Sequence, residues 1–392
     1  MKKIFISCAL LIAIFALFTG CADEDFETDA PDNIILADSA FYPIAISAGD
    51  GHSFVIMNDN SLWAWGWNDF GQVIGGAQVG VIQTSPVRLM DNAVMASGGF
   101  GHTVALNANG DLSTWGFNAD GQVGDGTWTH RTRPYRVMRN IAFATAGDQH
   151  TLAITDEGVL WGWGSNMYGQ LGNPLPPGST LMDNIFHRQP VQIMENITTA
   201  SGGFAHSMAI DIDGVLWGWG ANQYNQVNND SNTRYHRTPV RIKENVVAVS
   251  AGGGFTFAIT ADGGLWGWGA NSFGFIGDGT THHRPDPVQI LNNVTAVSAA
   301  RSHTMAITND GTLWGWGINS NGQLGNGGTD NQHQPIAIMD GVSYVAASIF
   351  HTLAITSDGQ LWAWGGNMVE QLGYSGSDAN RSLPTLITLF DE

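Results

Sequence analysis

The stretch "HTMAITNDGTLWGWG", residues 303–317, contains the pattern that decides the fold. Two short apolar runs, 303–308 and 312–317, flank the pair Asp310-Gly311. Glycine accepts the positive φ that a tight hairpin turn needs, so the runs are predicted to be neighbouring strands. Trp314 and Trp316 are two residues apart and therefore point to the same face of their strand. The stretch predicts a β-hairpin that carries two indoles on one side.

The elements of this stretch recur along the chain. Equivalents of Trp316 stand at Trp65, Trp115, Trp163, Trp219, Trp268 and Trp364, and the successive intervals are 50, 48, 56, 49, 48 and 48 residues. Thirteen residues before each tryptophan stands His52, His102, His150, His206, Phe255, His303 or His351. Downstream of each comes a proline: Pro86, Pro134, Pro190, Pro239, Pro287, Pro335 or Pro384. A period of about 50 residues with this internal order indicates a repeat architecture.

One unit is predicted to contain four short strands. They cover 294–300, 303–308, 312–317 and a fourth that Pro335 is expected to open, where a missing N–H costs least. Seven such units predict an all-β fold, a seven-bladed β-propeller of four-stranded blades. The predicted repeats are about 41–92, 93–140, 141–196, 197–245, 246–293, 294–341 and 342–392.

The recurring residues also predict how the blades pack. The paired tryptophans are expected to fill the wedge between neighbouring blades. A small residue always stands four before the histidine position, which suits an inner strand near a crowded axis: Ala48, Gly98, Ala146, Gly202, Ala251, Ala299 and Ala347. We expect the repeat histidines to be buried, each with a ring N–H bonded to backbone.

These motifs resemble a known repeat. The order G-x-H-(S/T)-x-A-(I/L), then D-G-x-L-W-x-W-G-x-N, then G-Q-(L/V)-G is similar to the regulator of chromosome condensation repeat, and it covers residues 41–390. Phe255 and Ser113 depart from the pattern in single copies. Kelch propellers have a similar period, but the G-x-H and W-G-x-N elements favour the first family. The resemblance implies a propeller used as a binding platform. The founding member's exchange-factor loops have no match here, so nucleotide-exchange activity remains a remote alternative by analogy.

The N-terminus predicts export. Lys2 and Lys3 precede an apolar run of 16 residues, 4–19, which is short for a membrane span and suits a signal peptide. The run ends at Gly20-Cys21, which resembles a bacterial lipobox, so residues 1–20 are predicted to be a lipoprotein signal peptide and Cys21 the lipidated residue. Residues 21–40 are acidic and are predicted to be a disordered tether. Ordinary secretion and an uncleaved anchor are the alternatives.

Charge and cysteine content narrow the class of partner. The chain has 34 acidic and 15 basic residues and a net charge of −19, which is the opposite of a nucleic-acid-binding footprint. Its two cysteines, Cys8 and Cys21, both precede the repeats, so the propeller is predicted to hold together without disulfides. We expect an extracytoplasmic monomer anchored to a bacterial membrane.

The sequence offers little for catalysis. It has neither a phosphate-binding loop nor a nucleophile elbow, and glycine runs such as 251–255 precede strands. A second set of histidines lies in the loops before the prolines, and its adjacent pair, His282-His283, lacks a clear third metal ligand. We therefore predict a non-enzyme without catalytic residues, metal or cofactor.

Aromatic residues outside the repeat core are the candidates for partner binding. Phe70, Tyr168, Tyr224 and Phe273 share one place after the W-x-W-G-x-N element, where the resembled family often has an aromatic, so a packing role is the alternative for these four. Trp67, Phe117 and Trp128 are less easily explained by the repeat. The predicted set is Trp67, Phe70, Phe117, Trp128, Tyr168, Met182, Phe186, Tyr224 and Phe273. The third unit carries eight extra residues around 173–190, and insertions into repeats often mark a binding face. An unknown protein ligand is the first hypothesis, and a carbohydrate or cell-wall glycan is the alternative.

Overall fold

The computed structural model describes residues 41–73, 79–174, 185–374 and 379–388. These residues form 28 strands in seven four-stranded sheets, which confirms the predicted seven-bladed all-β propeller. No helix in the described ranges is long and apolar enough to cross a membrane. The signal peptide, Cys21 and the tether lie outside the described residues.

Each blade is built from four consecutive strands. Blades 1 to 4 contain β1 Pro43–Ala48, β2 His52–Met57, β3 Leu62–Gly66, β4 Gln83–Met90; β5 Ala93–Gly98, β6 His102–Asn107, β7 Leu112–Gly116, β8 Arg131–Met138; β9 Ile141–Ala146, β10 His150–Thr155, β11 Leu160–Ser165, β12 Phe186–Met194; and β13 Ile197–Gly202, β14 His206–Asp211, β15 Leu216–Ala221, β16 Tyr235–Lys243. Blades 5 to 7 contain β17 Val246–Ala251, β18 Phe255–Thr260, β19 Leu265–Gly269, β20 Arg284–Leu291; β21 Val294–Ala299, β22 His303–Thr308, β23 Leu313–Gly317, β24 Gln332–Met339; and β25 Val342–Ala347, β26 His351–Thr356, β27 Leu361–Gly365, β28 Arg381–Leu386. Neighbouring strands in a blade are antiparallel, as in the pairing of Met305 with Gly315 between β22 and β23.

The proline of each unit lies inside the fourth strand. Pro335, expected to open its strand, instead follows Gln332, where β24 begins. The expected strand start was wrong for a physical reason. The pairing of β23 with β24 shifts register between Gly315 and Gly317, so the ring of Pro335 sits in an irregularity of an edge strand. A strand tolerates proline there because no ladder hydrogen bond is lost.

The first strand of each blade lines the central axis. The small residues identified in the sequence lie at its inner end, and Ala48, Gly98, Ala146 and Ala299 border the axial cavity. Hydroxyls on these strands tie the blades together; Ser97 accepts a hydrogen bond from the backbone N–H of Ala146 at 3.0 Å. Small side chains are therefore required here because seven strands converge, as predicted.

The paired tryptophans fill the wedges between blades. Trp316 is fully buried and meets Phe257 of blade 5 edge to face, while Trp314 is half-buried against the same core cluster, which blades 5 and 6 form together. Gly277 of that blade approaches the indole so closely that an added Cβ would lie 2.8 Å from Nε1 of Trp316. The predicted role of the tryptophan pair is confirmed.

A polar seam accompanies the apolar wedge. Nε1 of the buried tryptophan donates to a backbone carbonyl of the preceding blade at 2.8–3.0 Å in six blades, in the pairs Trp65–Gln371, Trp115–Gln72, Trp163–Gln122, Trp219–Gln170, Trp316–Phe275 and Trp364–Gln323. A Ser or Thr hydroxyl of the same blade donates to that carbonyl, for example Thr151 to Gln122 at 2.9 Å. Each seam therefore has the same direction around the ring.

The repeat histidines complete these seams. In five of the six, Nε2 meets the Ser or Thr hydroxyl of the following blade at 2.8–3.1 Å, in the pairs His102–Thr151, His150–Ser207, His206–Thr256, His303–Thr352 and His351–Ser53. The ring nitrogens of His52 are buried without a hydrogen-bond partner in the described part of the chain. The expected bond to backbone was wrong, because the ring lies across the blade boundary, where the nearest polar atom is a side-chain hydroxyl. Burial lowers the pKa of His102 to about 3, and it acts likewise on the other five, so the rings are neutral at physiological pH.

The ring closes by face-to-face packing of blade 1 on blade 7. Both blades keep four strands that are consecutive in the chain, so no strand is exchanged between the two ends. Trp65, Met57 and Val55 of blade 1 share a core cluster with Leu353 and Ile355 of blade 7. The hydroxyl of Ser53 adds the polar seam by donating to the carbonyl of Gln371 at 2.7 Å. Closure therefore repeats the contact that joins every other pair of blades.

Candidate binding site

Antiparallel order within every blade gives the ring two distinct ends. The loops between first and second strands and between third and fourth strands emerge at one end, which we call the loop face. The turns between second and third strands, together with the connections between blades, form the other end, the turn face. The two faces differ in the side chains that they expose.

The turn face is made of short acidic turns. Its carboxylates are Asp59, Asp91, Asp111, Asp156, Glu157, Glu195, Asp211, Asp213, Glu244, Asp262, Asp310, Asp340 and Asp358. Several meet arginines at the surface, such as Arg241 with Glu244 at 2.7 Å and Arg88 with Asp91 at 2.6 Å. Exposed ion pairs of this kind contribute little to the free energy of folding. The charged groups of the turn face are therefore surface groups in contact with solvent.

An aromatic cluster spans blades 1 and 2 on the loop face. Three predicted residues belong to it: Phe70 lies 5.3 Å from Trp67 and 4.7 Å from Phe117, measured between ring centroids. Phe100, which the sequence analysis did not select, lies 5.4 Å from Trp67 and 6.0 Å from Phe117. All four side chains are half-buried. The four rings pack against one another, and each leaves part of its surface exposed to solvent.

A second aromatic pair lies at the rim between blades 2 and 3. Trp128 is 46% exposed and meets the half-buried ring of Phe186 edge to face, with centroids 5.9 Å apart. The guanidinium of Arg188 lies 5.0 Å from the Trp128 ring, within cation–π range. The last part of the insertion is thus joined to the preceding blade, while Met182 lies outside the described residues.

The remaining candidates are spread around the loop face. Tyr168 is half-buried against Tyr235, with centroids 5.5 Å apart. Tyr224 and Phe273 are 45% and 49% exposed. Further exposed apolar residues on this face escaped the sequence analysis: Met167, Phe204, Phe350 and Met368. The loop face therefore combines large apolar side chains from at least six blades.

The centre of the loop face is formed by one position of the repeat. The residue two before the histidine position differs widely between blades, whereas the residue preceding it is always Gly, Ala or Ser: the variable residues are Asp50, Phe100, Asp148, Phe204, Gly253, Arg301 and Ile349. Backbone bonds chain these loops together, as in Asp50 N–H to the Gly99 carbonyl and Phe100 N–H to the Asp148 carbonyl. They surround a cavity of about 210 Å³ at the mouth of the axis.

Three charged residues meet in this mouth. Nη1 of Arg301 lies 3.0 Å from Oδ1 of Asp148 and 3.4 Å from Oδ2 of Asp50. The guanidinium also lies 4.4 Å from the ring centroid of Phe204. We call Asp50, Asp148 and Arg301 the mouth triad. It joins blades 1, 3 and 6 across the axis, through residues up to 251 positions apart.

Burial governs the electrostatics of the triad. It raises the pKa of Asp50 to about 7, and the negative charge of Asp148 adds to this, while Arg301 opposes it. Burial likewise raises the pKa of Asp148 to about 6, with a further contribution from Asp120 and opposition from Arg301. The attraction of one guanidinium thus does not offset the cost of burying two carboxylates.

The loop histidines hold the loops in place. His130 and His283 each accept a backbone N–H through Nδ1, from Asn118 at 3.0 Å and from Asn271 at 2.9 Å. His236 meets Oδ1 of Asn228 at 2.8 Å. Among the described residues, no group of three or more His, Cys, Asp or Glu side chains is arranged to hold a metal ion. These three histidines thus have a structural role.

Family models match almost the whole repeat region. The RCC1-like domain matches residues 18–340, and two regulator of chromosome condensation (RCC1) repeats match residues 342–368 and 358–392. No curated protein sequence gives a significant match.

Solved structures show the same architecture. Human WBSCR16 is 21% identical over 84% of this chain and 94% of its own, with a TM-score of 0.72. Prp20p from Saccharomyces cerevisiae, described with its binding properties to Gsp1p and histones, is 19% identical over 89% of this chain and 87% of its own, with a TM-score of 0.71. Yeast RCC1 (Prp20) bound to Kap60 gives 19% identity over 95% and 91%, with a TM-score of 0.69. At these identities the likeness is one of fold.

Proposed function

Because the chain belongs to the family of RCC1-like domains, we propose that it is a non-catalytic binding protein that recognises a protein partner through its loop face. Propellers of this family include proteins that bind other proteins, such as the yeast protein bound to Kap60. The partner of this chain is not inferred from theirs.

One observation carries the proposal. Most aromatic and methionine side chains that are at least 37% exposed lie on the loop face, namely Trp128, Met167, Phe204, Tyr224, Phe273, Phe350 and Met368, whereas the turn face is built from short acidic turns beside half-buried indoles. Aromatic and methionine side chains are enriched where proteins bind one another, and a few of them supply most of the binding energy. Tyr224, Phe273 and Trp128 are the candidates with most free surface.

The carbohydrate alternative receives less support from the same geometry. A sugar ring stacks on a free, flat indole face. Trp67 is packed between Phe70 and Phe100, and Trp128 already has Arg188 over its ring. Nucleotide exchange remains an analogy with family members, and no arrangement of side chains described above favours it.

We also propose that lipidated Cys21 holds the propeller at a bacterial membrane surface, outside the cytoplasm. The support is the apolar run followed by Gly20-Cys21 and the acidic segment 22–40. Cys21→Ser should leave an unprocessed precursor or release the protein from the membrane fraction. An unmodified thiol at Cys21 in the intact mass of the native protein would contradict the anchor.

The loop-face proposal is tested by comparing the two faces. A photo-crosslinking residue replaces Phe273 on the loop face or, as the control, Ile212, which is 71% exposed on the turn face. We expect the position of Phe273 to give a discrete crosslinked protein in cells and that of Ile212 to give none. In the purified complex, Trp128→Ala with Phe273→Ala should weaken binding by about 30-fold or more, since loss of a single hot-spot aromatic costs about 2 kcal/mol. Equal crosslinking from both positions, or unchanged affinity of the double variant, would refute the proposal.

A further inference from the structure

The mouth triad is not needed to close the axis. The same repeat position carries Phe100, Phe204 or Ile349 in other blades, where an apolar or small side chain suffices. Replacing a buried ion pair by apolar residues of similar size is often neutral or stabilising. The chain therefore has two buried carboxylates and a guanidinium at positions where the repeat also accepts uncharged residues, whose burial costs less free energy.

The triad is also unbalanced. In the part of the chain that the structure describes, each carboxylate meets Arg301 through one oxygen, Oδ2 of Asp50 and Oδ1 of Asp148, which leaves a second oxygen on each available to a ligand. Two carboxylates share one guanidinium, so the mouth carries a surplus negative charge when both are ionised. The side chain of Asp148 is 5% exposed and that of Asp50 is 17% exposed, so water compensates this surplus only in part.

The cavity supplies the rest of a binding site for a side chain. Its volume is about 210 Å³, and Phe204 and Ile349 add apolar walls beside the triad. It opens at the centre of the loop face, surrounded by the exposed aromatic residues. A long side chain with an apolar stem and a charged end matches this combination.

We propose that the mouth triad is a socket for a cationic side chain, an arginine in the first place, presented by the protein that docks on the loop face. The cation bonds to the free oxygens of Asp50 and Asp148, and its planar guanidinium can reach both at once. This inference rests on the proposed function and adds the chemistry of the partner. The net charge of −19 also favours the approach of a basic segment.

The proposal gives a definite pH dependence. Asp50, Asp148, Arg301 and the nearby Asp120 are the ionisable groups that act on the socket. Burial raises the pKa of Asp50 to about 7 and that of Asp148 to about 6, so both carboxyls are mostly protonated at pH 5.5 and mostly ionised at pH 8. Binding of a cation must therefore strengthen as the pH rises from 5.5 to 8, because a protonated carboxyl attracts it less.

The test uses the full chain and two short probes. N-acetyl-Gly-Arg-Gly-amide and the same peptide with citrulline, which has nearly the same shape without the charge, are titrated and their binding is followed by NMR. We expect the arginine peptide to bind about tenfold or more tightly than the citrulline peptide, since hydrogen bonds to charged groups are the stronger ones. The preference should disappear in Asp50→Asn with Asp148→Asn.

Two further variants separate a socket from a structural clasp. Asp310→Asn with Asp358→Asn makes the same charge change on the turn face and should leave the preference intact. Arg301→Gln removes the internal competitor and should raise the affinity for the arginine peptide several-fold; melting curves check that each variant is folded.

The proposal is overturned if the two probes bind equally, if the preference survives the double asparagine variant, or if folded Arg301→Gln binds no better than the parent. Crosslinking from the position of Phe273 tests the proposed function independently, because it does not depend on the mouth triad.

Discussion

The buried histidines make the ring sensitive to acid. Six repeat histidines are fully buried and neutral, with pKa values lowered to about 3, or about 4 for His206, whereas an unfolded histidine titrates near 6.5. A lowered histidine pKa stabilises the fold fully above 6.5, and the contribution is lost as the pH falls below that value, because only the unfolded chain takes up the protons.

The magnitude follows from linkage. At pH 5.5 the six histidines bind about 5.5 protons on unfolding, since each is about 90% protonated one unit below its ordinary pKa. The triad carboxyls, with pKa values of about 7 and about 6, release about 1.7 protons in the same step and offset part of this uptake. Between pH 7.5 and 5.5 the free energy of unfolding should fall by about 5 kcal/mol, a large share of the stability of a typical domain. Carboxylates with lowered pKa values act only below this window.

The assay is urea unfolding followed by tryptophan fluorescence at pH 7.5, 6.5 and 5.5, at constant ionic strength. His102→Phe provides the matched variant, because Phe255 already occupies the equivalent slot in blade 5, packed on Gly252 as His102 packs on Gly99. The variant should lose about 1 kcal/mol less than the parent over the same interval, since one titrating group is gone. A loss below about 1 kcal/mol in the parent, or an identical pH dependence in the variant, would refute this explanation.

Two further predictions concern stability at neutral pH. Ser53→Ala at the ring closure should lower the free energy of unfolding by about 2 kcal/mol, because it leaves the buried Nε2 of His351 without its partner; Ser343→Ala, which removes a part-buried hydroxyl bond inside blade 7, should cost less than half as much in the same urea titration. Glu370→Gly should raise the free energy of unfolding by about 1 kcal/mol, because Glu370 has a φ of 57° where five other blades place glycine. A lower melting temperature for Glu370→Gly would show that its side-chain contacts outweigh the backbone strain.

The fold was predictable because the repeat states the same local rules seven times. The turn glycine, the paired tryptophans and the small inner residue each constrain one strand, and their recurrence fixes the blades. The errors at Pro335 and at the histidine partners came from details that only register and ring closure determine. A bulge moves the proline into its strand, and the neighbouring blade brings a hydroxyl to each ring.

The site was predictable only in part. Tyr224 and Phe273 could be selected because aromatic residues recur at one place in the long loops, and Trp128 because the repeat does not explain it. The mouth triad could not be paired from sequence, since Asp50 and Arg301 meet only when the ring closes. Its one sequence cue is the varied residue two positions before the repeat histidine. Residues that recur in all units serve the packing of every blade. Residues that differ between units at the same position indicate where a single blade has a role of its own.

The closure of the ring has a consequence for how such a chain can be cut and joined. Every blade is contiguous in sequence, and blade 7 meets blade 1 through the same seam that joins the others. The contacts between blades therefore do not depend on which blade comes first along the chain. A circular permutant opened between two interior blades, with a short linker from the end of β28 to the start of β1, would contain the same seven seams. The same modularity allows whole blades to be copied during evolution, while the residue at the mouth of each blade diverges independently.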